Sequence, residues 1–317
     1  LYFSLFSGKW LPEHSQWLAK LKETCTRFRF DHVTEHFGFM TGQDFHHGAP
    51  LNVPYSATTL RIGQDRLKRL SNICNCPVGL ENLAFSYSVE EVKQHGFFLE
   101  ELLDPVNGFL ILDLHNLYCQ LHNFSVSADE MFALYPLDKV REIHISGGSW
   151  ESSIVEPGRA VRRDTHDDAV PEEVFQLLKK ALPNCANLKY VVLEQLGNGL
   201  NTPESRQQFY TDFGKMEKII ANENKSPRDA EQYNFLPPQF SLSTQPAEDI
   251  TLYNQQLELS FILESSQTFD EVMNHLENSS LANSDWQLEK WQPYMIETAM
   301  QIAQKWKREG SGVKRQA

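Results

Sequence analysis

Six short stretches of the 317-residue chain carry residues able to bind a metal ion. They are Thr34-Glu35-His36, Leu80-Glu81-Asn82, Leu112-Asp113-Leu114-His115-Asn116, Ile143-His144, Asp164-Thr165-His166-Asp167 and Leu193-Glu194. Imidazole and carboxylate dominate, with no clustered thiolate, a donor set that suits iron, manganese or zinc and argues against copper(I) or iron–sulfur sites. His36, Glu81, Asp113, His144, Asp164, His166 and Glu194 exceed what one ion can take, so bridging carboxylates between several ions fit the count. Each residue alone has a structural use, because a carboxylate or asparagine after a strand can cap the next helix or brace a turn. Their recurrence is what points to a cation: several carboxylates gathered at one buried place need a partner.

The elements that must position them read as alternating strands and helices. Strand signals fall at Phe28–Val33, Pro77–Leu80, Gly108–Leu112, Val140–Ile143 and Tyr190–Leu193. Apart from Phe28–Val33, interrupted by Arg29, Asp31 and His32, these are apolar runs without polar alternation, the pattern of strands buried on both faces. Between them, helical periodicity predicts helices at Glu13–Thr26, Ala57–Ile73, Val89–Leu103, Ser127–Leu134 and Pro171–Leu182. Alternation of this kind implies parallel βα units. In a parallel barrel the C-terminal strand ends converge on one mouth, which would gather the six stretches.

The pattern changes after Glu194. A helix over Pro203–Asn222 closes the α/β part, giving a metal-binding barrel over 1–222. Polar 223–249, with Lys225-Ser226-Pro227 and Pro237-Pro238, reads as a linker or wrapping loop. Helices over Ile250–Leu281 and Ser284–Arg308, the second with Trp286, Trp291, Ile296, Met300 and Trp306 on its apolar side, make 250–317 a helical extension with a short basic tail.

Other features bound the reading. His46-His47, in a loop containing Gly and Pro, and His122, beyond Asn116, are candidates to face a substrate. Gly147-Gly148-Ser149 lets another group approach the backbone closely. There is no P-loop and no G-x-G-x-x-G, and Ser86 lacks the glycines of a nucleophile elbow. A net charge of −13 speaks against non-specific nucleic-acid binding. No apolar run approaches the roughly 20 residues of a membrane span, and no signal peptide is visible. Five scattered cysteines suggest a reducing, cytoplasmic setting. Cys74 and Cys76 form a C-x-C with no second pair nearby in sequence, so a zinc site there is disfavoured.

In this order and spacing, the six stretches, taken as Thr34-Glu35-His36-Phe37, Gly79-Leu80-Glu81-Asn82, Leu112-Asp113-Leu114-His115-Asn116, Glu142-Ile143-His144-Ile145-Ser146-Gly147, Asp164-Thr165-His166-Asp167 and Val192-Leu193-Glu194, resemble the multinuclear non-haem iron-dependent oxidative enzymes, the group that includes the methanobactin-biosynthesis oxidase. The resemblance runs from about Leu1 to Leu200. It implies a TIM-barrel-like (β/α) barrel holding two or three irons, with O₂ as co-substrate. It further implies oxidation of a residue, often cysteine, in a ribosomally made precursor peptide, sometimes delivered by a small peptide-recognition partner protein. The ligands carried over are His36, Glu81, Asp113 or its neighbour Asn116, His144, Asp164, His166 and Glu194. Two departures stand out. The family's first strands, and a further histidine ligand, would fall ahead of Leu1, as expected if the chain begins partway through the protein. The extension after Asn222 is long for the family. On residue chemistry alone, a non-redox divalent-metal isomerase or phosphodiesterase on a xylose-isomerase-like barrel is the alternative.

Overall fold

The computed structural model describes residues 3–40, 49–223 and 234–310. His46 and His47 lie outside the described residues. Buried Phe3, Leu5 and Phe6 lead into helix α1 (Pro12–Arg27), followed by strand β1 (Val33–His36). A small antiparallel pair, β2 (Phe39–Met40) and β3 (Pro50–Leu51), precedes α2 (Ala57–Cys74) and β4 (Val78–Glu81). Then come α3 (Val89–Leu103), β5 (Phe109–Asp113), α4 (Leu114–Phe124), α5 (Ala128–Leu134) and β6 (Val140–Ile145). A hairpin of β7 (Trp150–Ser152) and β8 (Ala160–Arg162) follows, then α6 (Glu172–Ala181), β9 (Tyr190–Leu193) and α7 (Pro203–Glu223). The C-terminal part adds α8 (Ile250–Ser265), α9 (Phe269–Glu277) and α10 (Pro293–Gly310).

The central sheet is wholly parallel, in the order β1-β4-β5-β6-β9. Spatial order follows chain order without reversal. Every crossover therefore steps in one direction, and right-handed crossovers then put all the helices on one face. That is the construction of a βα barrel; a doubly wound sheet reverses its order and carries helices on both faces. The helix side of the sheet is apolar: Val78, Leu80, Leu110, Leu112, Ile143 and Ile145 join the main core.

The other face is concave and carries a separate small cluster of Phe109, Ile111 and Phe235. Phe235 comes from the segment between α7 and α8, and Asn107 donates a hydrogen bond to the Leu236 carbonyl at 2.9 Å. The sheet curls until residues preceding its two outer strands meet: Lys189 Nζ donates to Asp31 at 2.6 Å, and Arg141 donates to the same carboxylate at 2.7 Å.

Three sequence expectations are corrected. The first strand is Val33–His36 rather than Phe28–Val33; residues 28–31 are largely exposed, so the charges at Arg29 and Asp31 keep water and the strand starts where they end. The helix expected over Ile250–Leu281 breaks into α8 and α9, because Thr268 caps a new helix by accepting from the Glu271 N–H. The helix expected from Ser284 begins at Pro293, a residue suited to a first helical turn.

Candidate metal centre

Register brings the strand ends together. His36 lies opposite Glu81 across β1–β4, and Asp113 opposite His144 across β5–β6. A register shift after Leu110 skips Arg141, placing Glu142 opposite Ile111 and His144 opposite Asp113 on the concave face. This local irregularity aims the histidine into the cluster. Glu81, Asp113 and His144 each offer one ligand atom, and these atoms lie within 4.8 Å of one another. All three residues are buried.

The remaining candidates surround this triad. His36 Nε2 lies 3.6 Å from Glu81 Oε2. Glu194, just past β9, reaches His144 Nδ1 at 3.2 Å through one oxygen and His166 Nδ1 at 3.3 Å through the other. His166 Nε2 meets Asp164 Oδ1 at 2.9 Å. Asn116 donates to Glu81 Oε1 at 3.3 Å and to the Asn82 carbonyl at 2.9 Å. Thus the eight residues expected as ligands form one connected group, whereas His122 is exposed, packed edge-on against Trp150 with Nε2 3.1 Å from the Ala160 carbonyl.

The loop carrying Asp164 and His166 is built to enter the site. His166 has φ 52, a left-handed conformation that a histidine adopts at some expense, and its carbonyl accepts from the Leu196 N–H at 2.7 Å. Opposite it, a side chain on Gly148 would place its Cβ 2.2 Å from the Arg163 carbonyl and 2.7 Å from His115 Cε1. Only glycine lets these backbones touch.

Several residues within or beside the six stretches, none of them expected as a ligand, hold this group in place. Glu142 accepts from His144 Nε2 at 2.7 Å and pairs with His32 Nε2 at 3.0 Å. His115 accepts from Arg162 at Nε2, so its proton sits on Nδ1, 3.0 Å from Asp164 Oδ1. Asn82 clasps the Asp113 backbone, accepting from its N–H at 2.7 Å and donating to its carbonyl at 3.0 Å. A signal for Glu142 existed, since residues two apart on a strand share a face.

Electrostatics show a group short of positive charge. Burial, reinforced by Asp113, pushes the Glu81 carboxyl well above the usual carboxylate range. Burial and the nearby Asp164 raise Asp113 to about 6. Burial works against the protonated form of His144 and His166, yet carboxylate neighbours raise both to about 9, Glu142 acting first on His144 and Asp164 on His166. Among the described residues, Asp113 Oδ2, Asn116 Oδ1 and His144 Nδ1 are buried without a hydrogen-bond partner; the Glu194 contact to His144 is close but not aligned for one. Orphaned polar atoms converging on one space are what a bound cation satisfies, displacing the His144 Nδ1 proton as it binds. The donor set of imidazole, carboxylate and amide oxygen fits a divalent first-row metal.

Fold and site together define a class: a parallel α/β protein of TIM-barrel type with a candidate metal-binding cluster at its strand C-terminal ends. Residues 3–208 match the family model for the RiPP precursor modification enzyme MbnB/TglH/ChrH, and the chain belongs to that family. Its relatives include UPF0276 proteins of Caulobacter vibrioides, 27% identical over 52% of this chain, and of Bordetella pertussis, 28% identical over 54%. The chain spans only 57% and 59% of the length of those two proteins. Among solved structures, similarity extends to a xylose isomerase-like TIM barrel protein from Mycobacterium smegmatis in complex with magnesium (TM-score 0.43, 13% identity, 66% of this chain and 70% of that one). It extends also to an L-ribulose 3-epimerase (TM-score 0.43, 14% identity, 73% and 77%). These two are similarities of chain arrangement only. No helix among the described residues is long and apolar enough to cross a membrane.

Proposed function

We propose that the chain carries out iron- and O₂-dependent oxidation of a residue, cysteine being the favoured target, in a ribosomally synthesised precursor peptide. Family membership supports a peptide substrate, and the converging unpartnered atoms of Asp113, Asn116 and His144 carry the metal assignment. His36, Glu81, Asp113, Asn116, His144, Asp164, His166 and Glu194 would hold two or three irons. Iron bound there would supply the electrons for O₂ reduction and the means to oxidise a side chain held beside it. The protein's own residues do the rest. Glu142 orients His144 by accepting a hydrogen bond from its Nε2–H, which turns Nδ1 toward the cluster and leaves that nitrogen to give up its proton when a cation binds. His115 does the same for Asp164, donating from Nδ1 and leaving the carboxylate charged. The peptide, with a small partner protein where one serves it, would approach from the mouth formed by the loops after β4, β6 and β9.

Elemental analysis and Mössbauer spectroscopy of protein purified anaerobically from iron-supplemented cells test this reading. Two or more coupled irons per chain are expected, with O₂ uptake and a mass change on the cognate peptide. Stoichiometric zinc or manganese, with no iron even after reconstitution, would instead favour the non-redox divalent-metal isomerase or phosphodiesterase.

A further inference from the structure

Three of the five cysteines, the Cys74-x-Cys76 pair and the sequence-distant Cys25, line one cavity at the opposite end of the strands from the metal centre. Cys25 sits in the last turn of α1, Cys74 ends α2, and Cys76 lies in the turn leading to β4. All three border an open cavity of about 1030 Å³ walled also by Phe28, Phe30 and Leu236. The Cys74 side chain lies close enough to those of Cys25 and Cys76 to interact with both. Cys25 and Cys76 are half-buried, whereas Cys119 and Cys185 are enclosed in the core. The C-x-C that lacked a nearby pair in the sequence has its third thiol here, brought by the packing of α1 on α2.

We propose that Cys25, Cys74 and Cys76 form a thiol–disulfide exchange site, with Cys76 as the attacking sulfur and a low-molecular-weight disulfide as the oxidant. The three roles separate by environment. The interaction with Cys74 lowers the Cys76 pKa against the effect of burial, and His32 nearby adds to the lowering while Asp31 opposes it. Burial raises Cys25, and the Cys76 interaction followed by burial raises Cys74. Exchange needs a thiolate to attack, so Cys76 reacts first. With oxidised glutathione, the Cys76 thiolate forms a bond to one glutathione sulfur and the other leaves as thiolate. Cys74, giving its proton to the departed glutathione thiolate, then attacks the Cys76 sulfur and releases the second glutathione. One residue separates Cys74 from Cys76, a poor span for a lasting bridge, so Cys25 attacks Cys74 and Cys76 departs as thiolate. The balance is two protein thiols oxidised to one disulfide and one glutathione disulfide reduced to two thiols. The lasting product joins the ends of α1 and α2, the helices whose following segments feed β1 and β4.

The full-length chain, equilibrated with oxidised glutathione, alkylated and mapped by mass spectrometry, tests the assignment. The expected product is a Cys25–Cys74 crosslink with Cys76 free. Cys76→Ser should slow its formation at least tenfold, and Cys25→Ser should trap glutathione on Cys76 or a Cys74–Cys76 bridge. The oxidised wild type should melt several degrees higher than the reduced form, an increase absent in Cys25→Ser, because closing so long a loop restricts the unfolded chain. Independently of any variant, Cys76 should alkylate faster than buried Cys119 in the native reduced protein. Equal alkylation rates for Cys76 and Cys119, or Cys25 and Cys74 left unlinked under excess oxidant, would overturn the proposal.

Discussion

At the scale of single residues, the charge balance around His144 decides how the candidate centre works. Like Asp164, Glu142 has its pKa pushed down, in its case to about 2: burial opposes ionisation, but the hydrogen bonds of His144 and His32 outweigh it. It therefore stays charged and keeps His144 oriented. Glu142→Gln should leave the fold intact, since the amide oxygen still accepts, but should weaken metal binding by about 10- to 100-fold, as loss of such outer partners does. Chelator competition on the purified variant measures this; unchanged affinity would remove Glu142 from its positioning role. His144→Ala and Asp164→Ala should go further, emptying the centre while far-UV circular dichroism stays near that of the wild type. A different buried carboxylate contributes to the pH dependence of stability. Glu91 accepts from Asn52 Nδ2 at 2.8 Å and from the Tyr87 N–H at 2.7 Å, yet burial raises it to about 7 from an ordinary 4.5. The folded state keeps its proton where the unfolded chain has lost it, so this contribution is full below about pH 4.5 and disappears as pH rises through about 7. Over that window the slope is at most about 1.4 kcal/mol per pH unit. Urea unfolding of wild type and Glu91→Gln at pH 5 and pH 7 should show the variant losing this part of the pH dependence, and parallel profiles would refute the assignment. The ligand-type residues were legible in the sequence because parallel strands end at one mouth. Glu142, His32 and Arg162 were harder to see, because nothing in a linear sequence says which side chain across the sheet will need a partner.

At the scale of elements, the hairpin of β7 and β8 shows what periodicity does not register. Its three-residue strands are too short to alternate, and its one local signal was the turn dipeptide Pro157-Gly158, with Gly158 at φ 91. Yet β8 runs directly into Asp164, so the hairpin sets the entry of that loop into the centre. What holds the hairpin is α10. Buried Glu297 accepts from Ser153 Oγ at 2.6 Å and from the Ile154 N–H at 3.0 Å, while Arg163 donates to Gln301 at 3.3 Å. On the neighbouring loop, Trp291 stacks on Tyr87 with ring centroids 3.7 Å apart. The extension thus grips the segments after β4 and β6. Glu297→Ala strands a buried hydroxyl and a backbone N–H, an expense of about 1–3 kcal/mol. Hydrogen exchange should quicken across residues 150–162 before it does in β5 or β6, and metal affinity should fall with it. Uniform exchange through the sheet would mean that α10 supports the fold as a whole and not this loop. Helix positions were read well from periodicity; helix ends were not, because caps such as Thr268 and starts such as Pro293 act over one or two residues.

At the scale of the whole molecule, the concave face has two ends with opposite needs. The C-terminal end gathers carboxylates and histidines; the N-terminal end must be closed against water if those groups are to stay buried. Closure falls to a residue that the sequence placed in a polar linker. Phe235, fully buried, packs on Phe109 at 5.9 Å between ring centroids, and the Arg141 guanidinium lies 5.8 Å from the Phe235 ring and 5.7 Å from that of Phe109. Nothing in its neighbours, Asn234 before it and Leu236-Pro237-Pro238 after it, forecast burial, since the partner surface exists only once the sheet curls. Phe235→Ala should therefore behave as a core truncation, costing about 3–5 kcal/mol in urea unfolding. Phe235→Leu should recover most of that loss by refilling the space. An Ala variant as stable as wild type would show that the segment merely lies against the barrel. A loss of the expected size would make the segment between α7 and α8 part of the barrel floor, so that cutting the chain after α7 would open the concave face from below as well as releasing the hairpin above.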